Sequence, residues 1–257
     1  MQYSILGDTG IEVSRLSLGT VKIGRNQGVK YPHGFEIPND EAVIALLRCA
    51  KENGINTIDT APAYGESERR LGELLPYVGG RAEWVIVGKV GENFENGQSS
   101  YDFSAAAIET SVNQSLARLK TDYLDVVLVH SDGGDIETNA HLEAFPTLQK
   151  LKDQGKIRAF GMSSKTVEGG LLTLKHADVA MVMYHESYAD EYPVILEAIK
   201  QNKGILLKKA FGSGHLPDKE SALRFVLAEE GVSSVVIGTI NIAHLKANCR
   251  VACLEKV

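Results

Sequence analysis

Short β-prone apolar runs alternate with longer amphipathic stretches along nearly the whole chain. The runs at Arg15–Leu18, Ile55–Ile58, Trp84–Val87, Leu124–Val129, Ala159–Met162, Val179–Val182, Ile205–Leu207 and Val235–Ile237 read as strands. Each is followed by a segment with helical spacing: Asp40–Glu52, Ser67–Leu75, Ala105–Leu119, Leu142–Gln154, Val167–Leu174, Pro193–Asn202, Glu220–Ala228 and Ile242–Val251. Capping chemistry agrees with these bounds, since Asp40, Glu66 and Asp218 stand near starts and Asn53-Gly54, Gln154-Gly155 and Asn202-Lys203-Gly204 near stops. Eight strand-then-helix units at a spacing of about thirty residues predict an α/β fold of the (β/α)₈ TIM-barrel type, with residues 1–257 as a single domain. A doubly wound sheet is the runner-up. Against it, Arg15–Leu18 leads only to Gly19-Thr20, without the glycine-rich loop such a sheet needs for close approach to a pyrophosphate. Ahead of the first unit, Tyr3–Leu6 and Ile11–Val13 flank Gly7-Asp8-Thr9-Gly10. This predicts a short N-terminal β-hairpin that plugs or covers one end of the barrel.

Composition narrows the function classes more than the fold. At 257 residues and 44% apolar content the chain can bury a large core. A net charge of −6 with no basic run predicts neither nucleic acid nor an anionic membrane surface as partner. No stretch approaches the ~20 apolar residues of a membrane span, and the start Met1–Asp8 has no positive leader-like region, so a cytoplasmic protein is expected. Cys49, Cys249 and Cys253 form no CxxC, which argues against a disulfide framework or a metal site.

In such a barrel the carboxyl ends of the strands face one mouth, so residues far apart in sequence converge there. Asp59, Lys89 and His130 end three successive strands, and Tyr64 follows Asp59 on a loop punctuated by Pro62 and Gly65. Lys89 closes an apolar run, where an ammonium is costly unless a carboxylate meets it, and Asp59 is the nearest candidate. A phenol ionises near pH 10, so Lys89 is expected to lower the pKa of Tyr64. His130 could orient a carbonyl oxygen. Singly, an Asp–Lys pair is more often structural and a lone His often packs; together the four point to catalysis. Three long loops, Thr20–Pro38, Gly91–Ser104 and Ser131–Asn139, rise from the same face and offer Tyr31, His33, Phe35, Phe94 and Tyr101 as pocket walls.

From Ser14 to Asn248 the chain resembles an aldo-keto reductase. The resemblance rests on Asp59-Thr60-Ala61-Pro62-Ala63-Tyr64-Gly65, Gly88-Lys89, Leu128-Val129-His130 and Gly161-Met162-Ser163, in order and spacing. It implies Asp59, Tyr64, Lys89 and His130 as the catalytic set. It further implies NADPH-dependent reduction of a small-molecule aldehyde or ketone, with hydride from nicotinamide and a proton from Tyr64. Gly19, Thr20, Asp59 and Phe211 are implied on the cofactor, and Ser163 matches a serine that binds the carboxamide. Ser164 replaces the usual asparagine, Met181 a common glutamine and Lys208 the aromatic that stacks on nicotinamide. Gly238 and Thr239 are expected to offer amides to phosphate at a helix start, and Asn248 matches an adenine-side asparagine. His244 replaces an arginine that grips the 2′-phosphate, and no lysine occupies the Gly238 position, so NADPH preference is weakened and NADH is possible. Two other functions stay open: a lyase using Lys89 as a Schiff-base nucleophile, and a regulatory subunit that keeps a nucleotide-binding fold. The substrate and the oligomeric state are not legible in the sequence.

Overall fold

The computed structural model describes residues 1–136 and 140–254. Strands β1 (Tyr3–Ile5) and β2 (Glu12–Ser14) form an antiparallel hairpin. Barrel strands β3 (Leu16–Gly19), β4 (Thr57–Asp59) and β5 (Val85–Val90) follow, then a second hairpin, β6 (Glu92–Glu95) and β7 (Gln98–Tyr101). The barrel resumes with β8 (Leu124–His130), β9 (Ile157–Ser163), β10 (Val179–Met183), β11 (Gly204–Lys208) and β12 (Ser234–Ile237). The eight barrel strands pair in parallel in chain order, and β12 returns to β3 to close the ring. Closure excludes the doubly wound alternative.

Around the ring run α1 (Val21–Gly24), α2 (Asp40–Glu52), α3 (Ser67–Leu74), α4 (Ala105–Leu119), α5 (Ala140–Asp153), α6 (Val167–His176), α7 (Tyr192–Gln201), α8 (Lys219–Leu227) and α9 (Ile242–Leu254). Local chemistry sets their ends. Asn39, Ser104, Thr166 and Asp218 each accept a hydrogen bond from a first-turn amide, and Asn202 closes α7 in the left-handed conformation. The cap of α2 is Asn39, one residue before the expected Asp40.

The strands read as continuous apolar runs because both of their faces are buried. Val87, Val126, Leu128, Val179, Met181 and Leu206 point inward and pack with Leu6, Ile11 and Val13 from the first hairpin. Ile86, Val127, Phe160, Ala180 and Leu207 point outward to the helices. The hairpin therefore plugs the amino end of the barrel, as expected. Gly7, at φ +58°, lies against the start of β11, where a Cβ would stand 2.4 Å from the Gly204 nitrogen.

Two features depart from expectation. The Gly91–Ser104 segment is the β6–β7 hairpin, turned by Asn96 and Gly97 at φ 49° and 81°. That Asn-Gly pair is a type I′ turn signal, visible in the sequence. The Thr20–Pro38 loop begins with the short helix α1, and positions 137–139 of the third long loop lie outside the described residues.

Ring closure sets a measurable steric limit. At Gly161 a Cβ would stand 1.6 Å from the Val179 carbonyl oxygen, so Gly161→Ala must part β9 from β10. Overpacking of this kind costs about 1–3 kcal/mol, which lowers the melting temperature by roughly 2–12 °C in a chain of this size. Gly34→Ala, with no neighbour within 4 Å, should barely change melting followed by circular dichroism. Equal melting of the two variants would show that β9 and β10 do not approach this closely.

Candidate active site

At the carboxyl ends of β4 and β5, Asp59 and Lys89 meet with their side chains almost wholly out of solvent. Lys89 Nζ lies 2.5 Å from Asp59 Oδ1 and donates to the Thr60 carbonyl at 2.9 Å. The backbone below is fixed by hydroxyls: Thr20 Oγ1 donates to the Asp59 carbonyl at 2.8 Å, Ser67 donates to Thr20 at 2.7 Å, and Thr60 and Ser67 lie 3.0 Å apart. This buried chain ties β3, β4 and the first turn of α3 together. Tyr64 sits within the loop so tied. Its turn ends at Gly65, φ +61°, and presses on Gly24, where a Cβ would stand 2.2 Å from the Tyr64 carbonyl oxygen.

The ammonium of Lys89 stands 4.9 Å from the centroid of the Tyr64 ring, and His130 meets that ring edge-on at 6.1 Å. The expectation for the phenol is corrected here. Its pKa is raised well above 10, first by burial and then by Asp59, Tyr31 and Glu92, with Arg25 opposing. Lys89 is held against Asp59, so its charge is compensated before the phenol can benefit. Tyr64 therefore keeps its proton through the neutral range.

His130 has a neighbour that sequence reasoning missed. Its Nδ1 lies 2.6 Å from Glu92 Oε2, an ion-pair distance, although the ring nitrogen is not aligned for a directed hydrogen bond. Burial lowers the His130 pKa, Lys89 and Lys208 lower it further, and Glu92 opposes. Burial pushes Glu92 upward, but His130, Ser99 and Arg25 outweigh it and bring the carboxylate to about 2. A neutral imidazole beside a fixed carboxylate can still donate one hydrogen bond.

These groups open on a cavity of about 840 Å³, of a size suited to a large ligand. Of the cofactor and catalytic residues named from the sequence, all but Ser164 line it, from Gly19 and Thr20 through Ser163, Met181, Lys208 and Phe211 to Gly238, Thr239, His244 and Asn248. Of the expected aromatic walls, Tyr31, His33 and Tyr101 line it, whereas Phe35 packs on Tyr31 and Phe94 lies under Arg25, outside the lining. Ser164 is fully buried, and its Oγ has no partner. Lys208 donates to Ser163 Oγ at 2.9 Å and to the Ser164 carbonyl, engaging the serine expected to meet a carboxamide. Burial brings the Lys208 pKa down to about 7 against the pull of Glu191, whose own buried carboxyl is pushed up to about 6. Gly238 and Thr239 stand ahead of the helix start. Helix α9 begins at Ile242, and its first amides, Ala243 and His244, are already capped by Asn241.

The donor set still fits a dinucleotide. Lys22 and Lys209 line the walls without a carboxylate partner among the described residues, as phosphates require. Gly238 leaves a hollow that a Cβ would fill to 3.0 Å from the Tyr31 hydroxyl. Lys209 holds a left-handed backbone, φ 56°, unusual for a lysine and of a kind that clusters at functional sites. Besides Glu92, the sequence reading missed Arg25 and Lys165, because their importance comes from neighbours on other elements. Among the described residues no helix is long and apolar enough to cross a membrane, and no His, Cys, Asp and Glu group could hold a metal ion.

Known proteins share this fold. The model of the Aldo/keto reductase family matches residues 15–221. A putative aldo-keto reductase from Pseudomonas aeruginosa has a similar solved structure, with a TM-score of 0.88 and 51% identity over 97% of this chain and 93% of that one. Aldo-keto reductase YhdN of Bacillus subtilis (strain 168) is 35% identical over 170 residues, which make up 65% of this chain and 48% of that protein. The uncharacterized oxidoreductase YqkF of the same organism is 27% identical over 98% of this chain and 91% of its own length. A barrel with these motifs at its mouth, matched over most of its length, belongs to the aldo/keto reductase family, and the protein is an oxidoreductase of that kind.

Proposed function

We propose that the protein reduces an aldehyde or ketone to an alcohol, using NADPH or NADH, with Tyr64 as proton donor. The observation that carries this reading is the buried Lys89–Asp59 pair, with Tyr64 and His130 facing the same cavity. A reduced nicotinamide, when bound, supplies the hydride. As negative charge develops on the carbonyl oxygen, Tyr64 delivers its proton there, and His130 donates a hydrogen bond that fixes the oxygen's direction. The raised pKa of Tyr64 suits a donor, since the acid form prevails at every neutral pH. The Lys89–Asp59 pair holds the Thr60 carbonyl and so fixes the loop that presents the phenol. The Schiff-base alternative loses support, because the Lys89 nitrogen is engaged by Asp59 and the Thr60 carbonyl instead of standing free in an apolar pocket.

On the cofactor side, Lys22 and Lys209 would hold phosphates, while Ser163, Met181 and Lys208 would border the nicotinamide. A methyl thioether and an amine replace amide and aromatic contacts there, so binding depends more on the phosphates. His244 offers no guanidinium fork to a 2′-phosphate. Of the relatives, an NADH-specific methylglyoxal reductase from Escherichia coli (strain K12) is 30% identical over 72% of this chain and 59% of its own length. That relative supports an open view of the cofactor.

Replacing the phenol is the direct test. Tyr64→Phe should lower the rate of carbonyl reduction by about two orders of magnitude or more, with little change in cofactor affinity. Near-normal single-turnover reduction in that variant would exclude Tyr64 as donor. The direction of the pKa shift adds a pH test. Reduction should be flat with respect to Tyr64 from about pH 6.5 to pH 9, because the proton is present throughout, whereas alcohol oxidation needs the phenolate and should climb with pH. A fall in reduction near pH 8 would contradict a raised phenol.

Cofactor choice should be shallow. Dissociation constants for NADPH and NADH should differ by less than about tenfold, and His244→Arg should widen that ratio toward NADPH by about tenfold. A large NADPH preference in the native chain, unchanged by His244→Arg, would assign the 2′-phosphate to other residues.

A further inference from the structure

Two cations of the cavity wall, Arg25 by Tyr64 and Lys165 by Tyr101, have no carboxylate at ion-pair distance among the described residues. Arg25, just beyond α1, lays its guanidinium 3.7 Å from the centroid of the Phe94 ring and donates to the carbonyls of Ala63 at 2.7 Å and Gly28 at 3.0 Å. Its Nε is buried and has no acceptor. Lys165 follows the Ser163-Ser164 pair, and its Nζ reaches 5.9 Å from the centroid of the Tyr101 ring. Neither forms an ion pair among the described residues. Both line the cavity, together with Tyr64, His130 and Tyr101.

The acids that could have balanced them are committed elsewhere. Among the described residues of the cavity wall, only Asp59 and Glu92 carry carboxylates. Asp59 is held by Lys89, and Glu92 is turned to His130 and to the Ser99 hydroxyl at 2.5 Å. A chain with a net charge of −6 thus keeps an excess of positive charge at one mouth, and walls of low polarizability focus that field. The phosphates of a dinucleotide answer the lysines on the β11 side. They leave Arg25, which is near enough to Tyr64, Glu92 and Tyr101 to bias the ionisation of all three. A stacked guanidinium with a spare buried N–H is suited to a carboxylate or phosphate, because its fork is already oriented and most of its desolvation has been met.

We propose that the carbonyl compound reduced in this cavity carries an anionic group, a carboxylate or a phosphate, seated between Arg25 and Lys165. This rests on the reductase reading and specifies its substrate class. Charge near the reacting carbonyl then contributes orientation as well as affinity. The Lys165 side acts at the rim, where the side chain is exposed, and Arg25 acts deeper.

Matched carbonyl pairs test the proposal. With saturating reduced cofactor, kcat/KM is measured for 4-carboxybenzaldehyde against 4-carbamoylbenzaldehyde, and for glyceraldehyde 3-phosphate against glyceraldehyde. The anionic member should be favoured by about tenfold or more in at least one pair, and the ratio should shrink as salt rises from about 50 to about 500 mM. Arg25→Met and Lys165→Met should each draw the ratio toward one; Lys165 is exposed, so its variant keeps the test open if Arg25→Met fails to fold. A native ratio of one or below in both pairs overturns the proposal, as does a ratio that neither substitution changes. Weaker cofactor binding in both variants with the ratio intact also overturns it, by assigning the charge to the dinucleotide. If no aldehyde is reduced with either cofactor, the reductase reading fails, and calorimetry with 4-(hydroxymethyl)benzoate and 4-(hydroxymethyl)benzamide then decides the charge question separately. Tighter binding of the acid, lost in Lys165→Met, supports the anion seat; equal binding rejects it.

Discussion

An ammonium at the end of an inward-facing apolar strand is tolerated only where a carboxylate waits for it. Lys89 and Asp59 satisfy that condition across adjacent strands at 2.5 Å, with side chains 2% and 5% exposed, so neither charge can be removed without stranding the other. Breaking such a buried pair typically costs about 3–5 kcal/mol. The pair also dictates what its surroundings do. It draws in the Thr60 carbonyl, which with Thr20 and Ser67 organises the loop that presents Tyr64. It leaves the phenol next to a compensated charge, so burial governs the proton on Tyr64 and keeps it in place.

The barrel was legible because its interior repeats one rule at every strand. Leu124–Val129 and Ala159–Met162 are buried on both faces, and such runs announce themselves without neighbours being known. Asp59, Lys89 and His130 were legible for a related reason: each is a polar residue terminating an apolar run, where burial would be costly without purpose. Glu92, Arg25 and Lys165 carry no such mark. Glu92 belongs to an exposed-looking hairpin and gains its role only when β6 folds over His130, and Arg25 gains its place only when Phe94 arrives beneath it. The Asn96-Gly97 turn that brings both about was present in the sequence, but its flanking residues do not alternate apolar with polar and so read as loop.

The pKa of Tyr64 shows where sequence reasoning meets its physical limit. The Lys89–Asp59 pair was readable; the direction of the phenol's shift was not, because it is set first by burial, which depends on how distant segments close over Tyr64. The same applies at the end of β11, where Lys208 engages Ser163 and the Ser164 carbonyl and lies in the field of a buried Glu191. Residue types there mark only a departure from the family pattern, whereas the distances show that Lys208 and Ser163 answer one another. Function in this molecule thus follows from which opposite charges find each other and which are left unpaired facing the cavity.

Tracing the hydride itself tests the central claim most directly. A reduced nicotinamide cofactor deuterated at C4 is given with an aldehyde, and the alcohol is examined by mass spectrometry and NMR. If the Lys89–Asp59 site performs carbonyl reduction, deuterium appears on the former carbonyl carbon in the native protein, and its appearance slows sharply in Lys89→Met folded to native circular dichroism. Alcohol formed without deuterium, or transfer in Lys89→Met at the native rate, would contradict the account.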